Sequence, residues 1–253
     1  MKFKHVHFIG LKGAAMTPLA IIVSEMGAKV TGSDVDEVFP PDKVLAKYHL
    51  TPRVGFTKEN LKGKPDLVVV TGAHGGSSNP EAEEAKKRGL KVLMHAQALG
   101  EISAEKKVIA VSGNHGKTTT AAIIAHLLTY AGLDPSFAVG CGDIFSLGTP
   151  GHAGLGDYFV VEADEYVTDP GLDPTPRFFW LKPDVAVLTN IDFDHPDVYD
   201  NLAEIKEAFL TFAQKIPQDG LLVAGIDDEN VRKILPFFHK PVLTYGFSTL
   251  ADY

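Results

Sequence analysis

"VSGNHGKTTT", residues 111–120, follows the apolar run "VIAVSG" and opens a stretch with helical spacing, and its reading decides the fold. An apolar strand, a turn with two glycines, a lysine and then hydroxyl side chains is the layout of a phosphate-binding loop between strand and helix. The standard pattern G-x-x-x-x-G-K-[ST] fails strictly, because Gly113 stands only three residues before Gly116. The chemistry survives the shortening. Gly113 and Gly116 let the backbone turn its N–H groups inward around Asn114 and His115. Lys117 supplies charge for the outer phosphates, and Thr118, followed by Thr119, offers a hydroxyl to Mg²⁺. The helix that follows adds its positive end. The competing reading is a Gly-rich turn with a solvated lysine; the strand before, the helix after and the three threonines weigh against it.

Outward from this loop, short apolar runs alternate with amphipathic stretches over most of the chain, which predicts an α/β fold with mainly parallel sheets. Strands are expected at "HVHFIG", "AKVTGSD", "PDLVVVTGA" and "LKVLMHA", then at "VIAVSG", "YFVVEAD" and "DVAVLTN". Helices are expected from Met16 to Met26, from about Thr118 to Tyr130 with Gly132 as the stop, and from about Asn201 to Ile216. In the last, Leu202, Ile205, Phe209, Phe212 and Ile216 recur at helical spacing and read as core. The polar "SAEKK" before a fresh strand places a domain boundary, giving a Rossmann-like domain over 1–105 and a phosphate-loop domain over 106–253. "GDIFSLGTPGHAGLGD" and "VTDPGLDPTPRF", rich in Gly, Pro and Asp, read as loops.

Composition narrows the function classes. The 253 residues are 45% hydrophobic, enough for a sizeable core. With 24 basic against 32 acidic side chains the formal charge is −8, which gives no overall attraction for nucleic acid. A small anionic ligand must be held locally. Cys141 is the only cysteine, so an intramolecular disulfide is out, and no basic-then-apolar leader opens the sequence; the cytoplasm is the expected compartment. No apolar run reaches the roughly 18 to 20 residues of a membrane-spanning helix.

"SGNHGKTTT" resembles the S-G-T-H-G-K-T-T-T loop of the Mur ligases, and "VVEADEY" (160–166) and "LTNIDFDHPDVY" (188–199) agree with further motifs of that family in order and spacing. "HFIGLKGAAM" and "VTGSD" resemble the opening UDP-binding domain of the branch that loads the first residue. The resemblance implies an ATP-dependent ligase of cell-wall precursor synthesis. The lactyl carboxylate of UDP-N-acetylmuramate would be phosphorylated and the acyl phosphate displaced by an amino group, from L-alanine or a short peptide. It implies that ATP lies on residues Gly113 to Thr119, with Lys117 stabilising the moving charge. Glu162 and His195 would hold a metal ion beyond the γ-phosphate, and Thr118 the Mg²⁺ bound with ATP. Asp164, Glu165, Asp192 and Asp194 are expected to be solvated or to sit behind the ligands, and Asn190 to orient a neighbour. In the first domain Gly10, Lys12 and Gly13 would hold the UDP diphosphate at a helix start. Ser33, Asp34, His74 and Asn79 complete the candidate substrate contacts.

Other readings stay open. "GLKGAA" is not G-x-G-x-x-G, and Asp34, 21 residues after Gly13, fits equally a ribose acceptor for NAD in a dehydrogenase. "GAHGGSSNP" around His74 and Asn79 is equally a plain turn. "EVFPP" and "PRFFWLKP" suggest the recycling branch that attaches a ready-made tripeptide, and a UDP-sugar-binding protein without catalysis is a further alternative. Three positions depart from the family pattern: Asn114 stands where Thr is usual, Ala15 replaces a small-residue turn usually built on glycine, and His152 occupies the place of an Asn before Ala153, where the muramyl or amino-acid side of the pocket is expected to be read. Family members continue beyond "LTYGFSTLADY" into a third domain, so a truncated protein with little turnover of its own is expected.

Overall fold

The computed structural model describes residues 3–253. The first sheet begins with β1 (His5–Ile9), whose "VHFI" is buried. A turn leads to α1 (Met16–Glu25), apolar enough that its first eight residues are all buried. β2 (Lys29–Asp34), α2 (Asp42–Lys47), the two-residue β3 (Arg53–Val54) and the fully buried β4 (Leu67–Val70) follow. α3 (Pro80–Lys87) starts where Asn79 accepts a hydrogen bond from the Glu81 N–H and a proline occupies the first turn. β5 (Lys91–Met94) then runs straight into α4 (His95–Ser103). The strands pair in parallel in the order β3-β2-β1-β4-β5. The order reverses between β1 and β4, where open α/β sheets leave a crevice for a ligand.

The second sheet is built around β6 (Lys107–Ser112), followed by α5 (Lys117–Tyr130), β7 (Ser136–Ala138), β8 (Gly151–His152) and β9 (Tyr158–Ala163). β10 (Val167–Asp169) and β11 (Asp173–Pro176) form a separate antiparallel ribbon. The chain returns through β12 (Val185–Leu188), α6 (Leu202–Ala213), β13 (Leu221–Gly225), α7 (Glu229–Ile234) and β14 (Val242–Tyr245). The order is β14-β13-β12-β6-β9-β7-β8, and only β8 is antiparallel to its neighbour. β6 is therefore flanked by β9 and β12, so the segments leaving these three strands meet at one edge. The α/β class with parallel sheets is as the alternation of apolar runs predicts.

Two loop expectations need correction. "VTDPGLDPTPRF" contains the β10–β11 ribbon and a 3-10 turn over Arg177–Trp180, and "GDIFSLGTPGHAGLGD" contains β8. Such short strands carry no periodicity that a sequence can display; they are made by pairing. In α6 the core stripe is confirmed: Ile205, Phe209 and Phe212 are buried, as is Ile216 beyond the helix, while Leu202 is partly buried. Phe178 fills the space beneath them, stacked on Phe212 at 4.7 Å and edge-on to Phe209 at 5.5 Å.

The two sheets share a core, one cluster running from Phe8 and Leu19 to Phe159, Phe178 and Phe212. At its edge α1 lies against β8. Glu25 accepts from the Ala153 N–H at 2.7 Å and pairs with His152 at 2.9 Å, and a Cβ at Gly151 would be driven into the Pro18 backbone. Among the described residues no helix is long and apolar enough to cross a membrane.

Candidate active site

The loop after β6 is held by the residues after β12. Gly113 has φ +128°, and a Cβ there would collide with Thr189 Oγ1, so only glycine fits. The Asn190 side chain clamps the next turn, accepting from the His115 N–H at 2.9 Å and donating to the His115 carbonyl at 2.8 Å. Thr189 donates to the same carbonyl at 2.7 Å, and Asn114 accepts from the Asp192 N–H at 2.8 Å. Asn190 thus orients its neighbour as expected. Asn114 is mostly buried and braces the loop, a task its amide can do at the position where the family pattern has threonine. Gly116, in the left-handed region at φ +81°, caps α5 with open space where a side chain would stand. Thr119, one turn into α5, borders a shallow surface hollow together with Thr118.

Lys117 lies folded back onto the loop. Its ammonium donates to the Gly113 carbonyl at 2.7 Å and to Glu165 at 2.9 Å. Thr118 donates to Glu162 at 3.0 Å, and the other Glu162 oxygen accepts from the Gly140 N–H. Burial pushes the Glu162 carboxyl above its usual range, against the pull of these donors and of Lys117.

The structure divides the expected metal pair. Glu162 sits with Thr118, whereas His195 has Glu165 at 3.4 Å and Asp194 at 3.8 Å as its charged partners. Among the described residues, Glu165, Asp194 and His195 are the group whose potential ligand atoms lie within 4.8 Å of one another. Glu165 is only 1% exposed and joins Lys117 to His195, so it is neither solvated nor remote. Its identity was hidden because "EADE" offers three acids and only the backbone path beyond β9 selects which turns inward. His195 itself sits at φ +56°, ring to ring with Tyr166 at 4.8 Å.

In the first domain the candidates separate more sharply. Gly10 (φ +83°) and Gly13 form the turn between β1 and α1, with the Gly13 N–H bonded to the Gly10 carbonyl at 3.1 Å. Lys12 donates its ammonium to the Val35 and Glu37 carbonyls at 3.0 and 2.7 Å. Asp34 is 2% exposed and accepts from the Lys12 and Val35 N–H groups at 2.7 and 2.8 Å. Its lone pairs therefore hold the turn, and an NAD ribose would have to displace them. Ser33 and Asn79 are buried and engaged within the protein: the Ser33 hydroxyl donates to Glu81 at 2.7 Å, and Asn79 caps α3 and donates to the His74 carbonyl at 3.0 Å. These two belong to the buried support of the turn, which includes a His7–Glu81 pair at 3.0 Å that nothing in the sequence pattern marks. His74 faces Asp34 at 3.7 Å. Gly10, Lys12, Gly13, Asp34 and His74 all border one cavity of about 480 Å³ that Gly140 closes from the second domain. A second cavity of about 250 Å³ lies between the domains, with Ala14 and Ala15 on one wall and Lys117, Gly140 and Glu162 on the other. His152, where a departure from pattern was expected to affect the pocket, borders neither and instead pairs with Glu25 and Asp134.

Fold and site define an α/β protein with two parallel sheets, a glycine-rich loop braced by an acid–histidine group, and two interdomain cavities that reach Lys117 on one side and the Gly10–Gly13 turn on the other. The model described as "Mur ligase family, catalytic domain" matches residues 5–107, and that of the "Mur ligase middle domain" matches residues 111–253. The chain belongs to the Mur ligase family. Curated relatives named UDP-N-acetylmuramate–L-alanine ligase include that of Paraburkholderia phytofirmans, 38% identical over 97% of this chain and 50% of the relative, and that of Burkholderia vietnamiensis, 39% identical over 98% and 51%. The chain spans about half the length of the curated relatives it matches. Among solved structures, the UDP-N-acetylmuramate:L-alanyl-gamma-D-glutamyl-meso-diaminopimelate ligase of Neisseria meningitides aligns with TM-score 0.83 at 31% identity, covering 95% of this chain and 77% of that one. The UDP-N-acetylmuramate-alanine ligase of Thermotoga maritima aligns with TM-score 0.79 at 26% identity, covering 97% and 53%.

Proposed function

We propose that this chain carries the UDP-sugar and ATP sites of a cytoplasmic ATP-dependent ligase of peptidoglycan precursor synthesis, which joins L-alanine to UDP-N-acetylmuramate. The observation that carries the reading is a pair of interdomain cavities that share Ala14 and Gly140 in their linings, one bordered by the Gly10–Gly13 turn and the other by Lys117 and Glu162. Residues 1–105 would hold the UDP-sugar and residues 106–253 the ATP. An oxygen of the lactyl carboxylate attacks the γ-phosphorus, the bond to ADP breaks, and an acyl phosphate forms. The acceptor nitrogen then attacks the carbonyl carbon, loses a proton, and inorganic phosphate leaves.

Two anions must meet in the first step, so cationic help is needed. Lys117 supplies it by exchanging Glu165 for the phosphates, and this frees the buried Glu165 for His195. The donor sets suit Mg²⁺: Thr118 and Glu162 offer a hydroxyl and a carboxylate 3.0 Å apart, and Glu165, Asp194 and His195 offer a second group. Bound there, Mg²⁺ would neutralise phosphate charge.

Calorimetric titration of the chain with UDP-N-acetylmuramate, ATP with Mg²⁺, and NADH tests the assignment. Binding of the first two and not of NADH is expected; binding of NADH alone would sink it. A second reading, in which the acceptor is a ready-made tripeptide, draws on the alignment with the Neisseria enzyme. Offering the whole protein L-alanine and the tripeptide side by side separates the two.

A further inference from the structure

The interdomain cavity contains one cation that the reading above leaves unused. Arg177 lies in the 3-10 turn after the β10–β11 ribbon and lines the cavity with Lys117 and Glu162. Its guanidinium is fixed in place. Nη1 donates to Asp164 at 2.7 Å, Nε donates to the Val167 carbonyl at 3.0 Å, and the plane lies over the Tyr166 ring at 5.2 Å. Among the described residues Nη2 has no hydrogen-bond partner, and it reaches the seam, where a Cβ on Gly72 of the first domain would stand 3.1 Å from it. An arginine held through Nε and Nη1 presents Nη2 as a preset donor for a single charge-assisted hydrogen bond to an anion.

The opposite wall supplies the complement. His95 also lines the cavity, and its Nε2 is buried without a partner. Burial and the charge of Arg177 lower its pKa to about 4, so the ring is neutral. Arg177 thus keeps one unpaired donor beside an uncharged imidazole, in a lining whose acids are Glu162 and Asp164, the latter already paired with Arg177.

We propose that Arg177 binds the reacting carboxylate of the sugar substrate through Nη2, directing it toward Lys117 and setting the preference for a carboxylate-bearing UDP-sugar over the same sugar without it. This rests on the UDP-sugar reading of the first domain. Asp164 acts as the positioning residue that keeps the guanidinium aimed.

The test compares UDP-N-acetylmuramate with UDP-N-acetylglucosamine, which lacks the lactyl carboxylate, by calorimetry on the 253-residue chain. Wild type is expected to favour the first. Arg177→Gln should weaken it on the order of tenfold to a hundredfold, the range for a lost hydrogen bond to a charged group, and leave the second unchanged. Arg177→Lys should recover part of the loss. Equal weakening of both ligands, or of neither, overturns the role of Arg177 while the UDP-sugar reading stands. If wild type binds neither ligand, the UDP-sugar reading falls, and this inference with it. A measurement on wild type covers the case in which the variants do not fold. Arginine-selective dicarbonyl modification of Arg177, read by mass spectrometry, should be blocked by UDP-N-acetylmuramate and not by UDP-N-acetylglucosamine. Equal blocking by both, or by neither, overturns the proposal.

Discussion

Glu165 holds the lysine of the glycine-rich loop. Its carboxylate is 1% exposed, holds the Lys117 ammonium at 2.9 Å and lies 3.4 Å from the His195 ring. A buried pair contributes little by existing, but removing one member leaves the other charge without compensation. Lys117→Met should therefore cost about 3 kcal/mol of stability as well as nucleotide binding. Adding Glu165→Gln should return much of that stability without returning the binding. Urea unfolding of the single and double variants checks this, and a double variant no more stable than Lys117→Met would show that the pair is not what the lysine supports. At this scale the sequence singled out Lys117 and Thr118 by their position in a glycine-rich loop before a helix, and could not choose among the acids. Asp164, Glu165, Asp192 and Asp194 are alike in chemistry, and only the fold buries one of them.

The elements meet at the seam of α1 with β8, where His152 is held between Glu25 and Asp134. The hydrogen bond to Glu25, its largest favourable influence, raises the His152 pKa above its ordinary 6.5. Its contribution is present below pH 6.5 and is lost as pH rises through the raised folded value. Glu25 behaves oppositely. Despite burial, which pulls the other way, its bonds to His152 and Ala153 lower its carboxyl below the ordinary 4.5, so its contribution holds above that value and fades only as pH falls through the lowered one. The seam should be tightest between about pH 5 and 6.5. Amide exchange at Ala153, whose N–H is bonded to Glu25, should show its greatest protection in that window and lose protection above it. Protection that stays flat to pH 8, or a decline that survives in His152→Gln, would contradict the assignment. No sequence pattern points to this contact, since 127 residues separate the partners.

At the scale of the molecule, one hydrophobic cluster draws on both sheets, from Phe8 in β1 to Phe159 in β9 and Phe212 in α6. The single tryptophan, Trp180, sits at the junction: its indole N–H donates to Thr168 at 2.8 Å, and its backbone stands where a Cβ on Gly100 of α4 would go. A shared core predicts shared unfolding. The transition seen by Trp180 fluorescence and that seen by far-UV circular dichroism should coincide in urea. Two separated transitions would mean that each sheet holds its own stability.

By itself the sequence determined the α/β class, the places of the long strands and helices, the core face of α6 and the glycine-lysine loop. Each of these is a local property, carried by apolar spacing or by residues a few positions apart. Tertiary structure decided the rest. It placed Ser33 and Asn79 in the buried support of the turn, turned Glu165 inward, sent His152 to the seam, and brought Arg177 to the edge of a cavity that also reaches Lys117. Those outcomes depend on strand order and domain contact, which join segments far apart in the chain and leave no periodic trace in either one.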